Sequence, residues 1–211
     1  MGFLVRAAVK SKEADALKKG IGKNDIPEEY KHLKMLGGGN TSIALEKDEN
    51  TVIVLTRDAM KKEWLHWGLK IAKDFSVHEP KFKRRKMDEL SIYAIEMPKL
   101  EPLSPENKKK VNKEIAFWKK ATSAVGYGGR HGLSGNVDKL QAYYIENGME
   151  ESMIYELLDW LLNYGPDQFG FDIAARQFMQ DTKGQIYLID PVASTELTKL
   201  MFERPDERRW G

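Results

Sequence analysis

Cysteine is missing from this chain. That removes disulfides, thiolate metal centres and cysteine nucleophiles, and it agrees with a reducing compartment. The four histidines, His32, His66, His78 and His131, show no metal-ligand spacing. No Ser-His-Asp order or nucleophile-elbow motif accompanies them. An excess of one charge is missing too: 34 basic against 32 acidic side chains leave +2, so no global field favours nucleic acid or an anionic membrane. No apolar run approaches a membrane span. The start, Met1 to Arg6, is too short for a signal peptide and is broken by Lys10-Ser11-Lys12. Arg6 stands where a myristoylation motif wants Ser or Thr. These absences predict a soluble, cytoplasmic protein with no membrane partner and no internal repeat.

What is present suffices for a core. Of 211 residues, 41% are apolar and 31% charged, enough for one large domain or two small lobes. Ser11 to Lys19 reads as a short helix stopped by Gly20 and Gly22. Lys31 to Leu36 reads as a strand running into Gly37-Gly38-Gly39-Asn40-Thr41, and Ser42 to Glu46 as the next. Val52-Ile53-Val54-Leu55 is the strongest strand signal. Asp58 is a plausible N-cap for a helix through Met60, Trp64 and Trp67. Leu90 to Ile95 returns to strand character, and Met97-Pro98 breaks it. Ser104-Pro105-Glu106 starts a helix, with proline at the first helical position. A glycine-rich loop spans 126–135, and helices are predicted over 138–146 and 150–163. The run Gly184 to Ile189 reads as a strand ending at Asp190-Pro191.

Two motifs carry chemistry. The turn Gly37-x-Gly39-x-x-Ser42-x-Ala44 lies between two strands, where glycines let backbone N–H groups approach phosphate oxygens. Alone it is equally a plain hairpin. Further on, Asp172, Gln177 and Asp190 have the spacing of a kinase catalytic loop and its metal-binding aspartate. Taken singly, Asp172 is a turn or cap residue and Asp190 a strand end. The run Lys81 to Lys86 is locally basic, and such runs are mostly solvated loops, so nucleic acid remains a distant reading.

In order and spacing these segments resemble the eukaryotic-type protein kinases in reduced form. They are most similar to the early host-shutoff serine/threonine kinases of lytic podophages. The resemblance covers roughly 31–194. It rests on Lys34-Met35-Leu36-Gly37-x-Gly39-x-x-Ser42-x-Ala44, on Ile92-Tyr93 leading to Leu100, and on Phe171-Asp172, Met179 and Ile189-Asp190-Pro191-Val192-x-Ser194. It implies an α+β, two-lobe kinase-like fold. A small lobe to about residue 100 would hold an antiparallel sheet and one helix. A large lobe over 101–211 would be mainly helical, truncated, and equipped with a short hairpin facing the cleft.

The resemblance also implies ATP and magnesium as cofactors and a host protein as substrate or target. Asp172 would be the catalytic carboxylate, with Asp190 and Gln177 on magnesium. Gly37, Gly38, Gly39, Asn40, Thr41, Ser42 and Ala44 would cover the nucleotide, joined by Met97 of the hinge segment. Three positions depart from the family. Gln177 replaces asparagine. Ala174 stands where a lysine is common, with Arg176 as a substitute cation. Val54 occupies the place of the strand lysine that pairs with phosphates and a helix glutamate, so Glu63 would lack its partner. Arg57, Lys34 or Lys47 are the expected stand-ins. The alternative to a kinase is a pseudokinase that binds and inhibits a host protein, and a homodimer or accessory partner would complete the substrate platform.

Overall fold

The computed structural model describes residues 21–22, 25–39, 41–79, 90–126, 136–164 and 169–194. The expected helix over 11–19, Asn40, the basic run, His131 and everything beyond 194 lie outside the described residues.

Nine strands and four helices are present among the described residues. The strands β1 (Lys34–Gly38), β2 (Ser42–Glu46) and β3 (Thr51–Thr56) form a meander. Helix α1 (Ala59–Glu63) follows and widens into a π turn, Trp64–Gly68. Strands β4 (Asp74–His78) and β5 (Ile92–Pro98) complete an antiparallel sheet in the order β1-β2-β3-β5-β4. Helices α2 (Pro105–Ala124), α3 (Val137–Glu146) and α4 (Met153–Tyr164) come next. Four short strands end the fold: β6 (Phe169–Phe171), β7 (Phe178–Gln180), β8 (Ile186–Leu188) and β9 (Val192–Ser194). They pair as β6 with β9 and, nested inside, β7 with β8.

The sheet is buried on both faces, which is why β3 reads as an unbroken apolar run. One face packs Ile43, Leu45, Ile53, Leu55, Ile92 and Ala94 against Ile21, Ile26, Tyr30 and Leu33. The opposite face presents Val52, Val54, Ile95 and Met97 to Leu65, Leu100, Met179 and Ile189. Each such side chain contributes roughly 1.5–3 kcal/mol on burial. A third cluster joins the helices through Val111, Trp118, Leu140, Tyr144, Ile154 and Leu157, and it includes Met60 and Trp64 of the α1 segment. That segment is therefore shared between the helical core and the sheet.

The helix starts follow their caps. Asp58 accepts from the Met60 and Lys61 N–H groups, and Ser104 accepts from Asn107 N–H ahead of Pro105. The Ser152 hydroxyl accepts from Ile154 N–H and donates to Glu114 at 2.6 Å. Strand β4 was not expected from the sequence. The glycine turn is also tighter than expected: Gly37 and Gly38 belong to β1, with a register shift between Met35 and Gly37. The turn proper is closed by Gly39 N–H donating to Ser42 C=O at 2.7 Å. No described helix is long and apolar enough to cross a membrane.

Candidate functional site

Beneath the sheet lies a cleft enclosing about 580 Å³ of space, the open solvent at its entrance included. Leu36, Gly37, Ala44, Val52 and Val54 line it from the sheet, and Met179 and Ile189 from the β7–β8 hairpin. Its back edge is Met97 to Leu100, where the chain leaves β5. Most of this lining is apolar, which suits a flat aromatic ligand.

The back edge also offers backbone groups. Glu96 C=O accepts from Lys73 N–H on the β4 side, whereas Lys99 N–H donates to Asn50 C=O on the β3 side. Alternation along extended chain then turns Pro98 C=O and Leu100 N–H away from β3, on the flank where β4 no longer runs. Both residues line the cleft, and among the described residues the Leu100 N–H has no protein acceptor. An acceptor and a donor two residues apart can hold the edge of a heteroaromatic base.

Two lysines line the cleft: Lys99, which pairs with Glu46 at 2.6 Å, and Lys61, which comes from a helix. Lys61 is 1% exposed, lines the cleft, and places Nζ 3.1 Å from Asp190 Oδ2. Three positions on, Trp64 donates Nε1–H to the Leu188 carbonyl at 2.6 Å. Residues three apart share a helix face, so α1 grips the segment bearing Asp190 at two points. Gly68 makes this possible, because a Cβ there would meet the Trp64 ring at 2.1 Å. Asp58 stands behind the pair. Burial first, and the neighbouring Asp190 charge second, push its carboxyl up to about 6, against the pull of Lys61.

Asp172 is tied to the same segment by its backbone, with its N–H donating to Pro191 C=O at 2.7 Å. Its carboxylate accepts from Arg176 Nη2 at 2.5 and 2.6 Å and from Gln177 Nε2 at 2.6 Å. Gln177 is 2% exposed, and its backbone carbonyl accepts from Ile189 N–H at 2.8 Å. With Nε2 committed to an acceptor-only carboxylate, the amide orientation is fixed. Its Oε1 is then buried without a hydrogen-bond partner. Such an orphan costs about 1–3 kcal/mol unless something occupies it. An oxygen donor next to the Asp172 carboxylate, on a residue whose backbone bonds Ile189 just before Asp190, suits magnesium, which takes one or two protein ligands and keeps the rest for water and phosphate. Among the described residues no group of three His, Asp or Glu forms a metal cluster, so a metal here would rely on that mixed set.

The remaining candidates divide. Gly37, Ala44 and Met97 line the cleft. Gly38 adjoins it in β1, and Gly39 closes the turn. Thr41 C=O accepts from Arg57 N–H, and the buried Ser42 hydroxyl donates to Thr56 Oγ1 at 2.8 Å, so both are engaged within the sheet. Arg57 is elsewhere: its guanidinium donates to Leu90 C=O at 2.6 Å and pairs with Asp25 at 3.3 Å. Lys34 pairs with Glu46 at 3.2 Å and Lys47 pairs with Glu96. Glu63 pairs with Lys62. None of these four is part of the cleft lining. Lys61, Asp58, Pro98 and Leu100 are not among the sequence's site candidates, although Asp58 is its helix cap and Leu100 ends its hinge-like segment. The one available signal was that Lys61 and Trp64 share a helix face.

No protein-family model matches this chain, and no curated protein matches it in sequence.

Proposed function

We propose that this chain is a kinase-like phosphotransferase that moves the γ-phosphoryl group of ATP to serine or threonine hydroxyls of a host protein. The single observation that supports it most is the Lys61–Asp190 pair, whose buried lysine lines an apolar cleft under the glycine strand. The adenine would lie between Ala44 and Met179, its edge on Pro98 C=O and Leu100 N–H. Lys61 would swing from Asp190 to the phosphates, replacing the strand lysine that Val54 displaces. Asp190 and Gln177 Oε1 would hold magnesium, which when bound neutralises charge on the phosphates. Asp172 would accept the hydroxyl proton as the hydroxyl oxygen bonds to the γ-phosphorus and the bond to ADP breaks. Arg176 holds that carboxylate in place.

A second reading has its own support. Both oxygens of Asp172 already accept hydrogen bonds, which favours a pseudokinase that binds a host protein without catalysis. ATP-dependent phosphate incorporation, measured for the parent, Asp172→Ala and Asp190→Ala, separates the two. Incorporation by the parent alone upholds the enzyme. A silent parent that ATP and magnesium do not stabilise thermally overturns it.

A further inference from the structure

A second cavity, about 680 Å³ with the open solvent at its entrance included, lies between α2 and the turn at Ala175–Gln177. Its floor is apolar, from Leu103, Val111 and Phe178, and its rim carries Lys108, Asn112 and Arg176. Lys108 and Asn112 are four apart and so share one exposed face of α2. No acidic side chain lines the cavity; Lys108 brings a positive charge to its rim, while that of Arg176 is shared with Asp172. Arg176 joins this space to the candidate site: its Nη2 holds Asp172, while Nε and Nη1 have no protein partner among the described residues.

We propose that this cavity receives an acidic side chain of the protein substrate, close in sequence to the residue that accepts phosphate. The inference rests on the phosphotransferase reading of Asp172 and adds the substrate class. A carboxylate placed between Lys108 and Arg176 forms charge-assisted hydrogen bonds, with Asn112 as a further donor, while the aliphatic part of the peptide covers Leu103 and Val111. The same contacts repel a basic peptide.

The test uses three peptides with one serine, flanked by glutamates, alanines or lysines. Binding is followed by fluorescence anisotropy and transfer by phosphate incorporation, for the parent and for Lys108→Glu and Lys108→Ala. Lys108 is exposed, so neither variant disturbs the core, and unchanged melting temperatures establish that. The parent is expected to bind the glutamate peptide about tenfold tighter than the alanine peptide, with Lys108→Ala reducing and Lys108→Glu reversing the preference. Equal binding of the three peptides, or a preference unmoved by Lys108→Glu, overturns the inference. Charge-selective binding without phosphate transfer upholds the cavity and overturns the transfer reading instead.

Discussion

Replacing Lys61 by methionine keeps the length and apolar stem of the side chain and removes its charge from between Asp58 and Asp190. The Lys61 side chain is 1% exposed and that of Asp190 24%, with 3.1 Å between the charged atoms. Removing one partner of a fully buried pair costs about 3–5 kcal/mol. Water reaches Asp190, so the lower figure of about 2–3 kcal/mol applies here. For a chain of 211 residues this lowers the melting temperature by roughly 4–12 °C. Phosphate transfer should fall by at least about a hundredfold, as when a preorganised charge at a transition state is lost. The double variant Lys61→Met, Asp190→Asn removes both charges and should recover most of the stability with none of the transfer. Thermal unfolding and phosphate incorporation read the two effects separately. A single variant that keeps half the transfer, or a double variant no more stable than the single, refutes the reasoning.

Asp58→Asn keeps the helix cap and removes a carboxyl whose value rises from 3.8 to about 6 on folding. Its contribution to stability is full below 3.8 and lost by about pH 6; the window is worth about 3 kcal/mol. The parent should therefore lose stability relative to the variant as pH rises through it, and parallel pH profiles would contradict the burial argument. Gly68→Ala forces a Cβ into the Trp64 ring and should destabilise the fold by about 1–3 kcal/mol; denaturant unfolding at an unchanged midpoint would contradict it. Gln177→Leu should abolish the extra thermal stabilisation that magnesium adds to ATP, while Gln177→Asn retains part of it. A leucine variant that still responds to magnesium would remove Gln177 from the metal site.

The elements that local chemistry determines were legible. The β-branched run of β3, the Asp58 and Ser104 caps and the helix over 150–163, with its apolar stripe Met153, Leu157, Leu158, Leu161 and Leu162, each follow from nearest neighbours in the chain. Strand β4 was not legible, because Asp74, Ser76 and His78 alternate with only two apolar residues and Val77 faces solvent. Pro98 breaks a strand's interior by its chemistry. It ends β5, where its missing N–H is harmless and its carbonyl turns to the cleft. Within the site, the glycine strand and the spacing of Asp172, Gln177 and Asp190 stood out as patterns, and hydrogen bonds now link Gln177 to Asp172 and Ile189. Lys61 did not stand out. Inside Lys61-Lys62-Glu63 it looks like solvated helix surface, and its burial is decided by an aspartate distant in sequence.

On the phosphotransferase reading, a cation supplied by a helix rather than by a strand changes what positions it. A lysine on β3 would be fixed by the sheet and would need a helix to orient it. Lys61 is fixed by α1 itself, whose placement depends on the Trp64–Leu188 hydrogen bond, on the glycine under the indole and on the Asp58 cap. Leu188 lies two residues before Asp190, so the carboxylate and the cation are held to a common frame rather than across a movable gap. Val54 can then be apolar, because a second charge on β3 would crowd a cleft wall that already packs Ala44, Val52 and Ile189. Glu63 is correspondingly free to pair with Lys62. The apolar strand and the buried helix lysine are thus two sides of one arrangement, in which tertiary packing supplies the charge that the strand lacks.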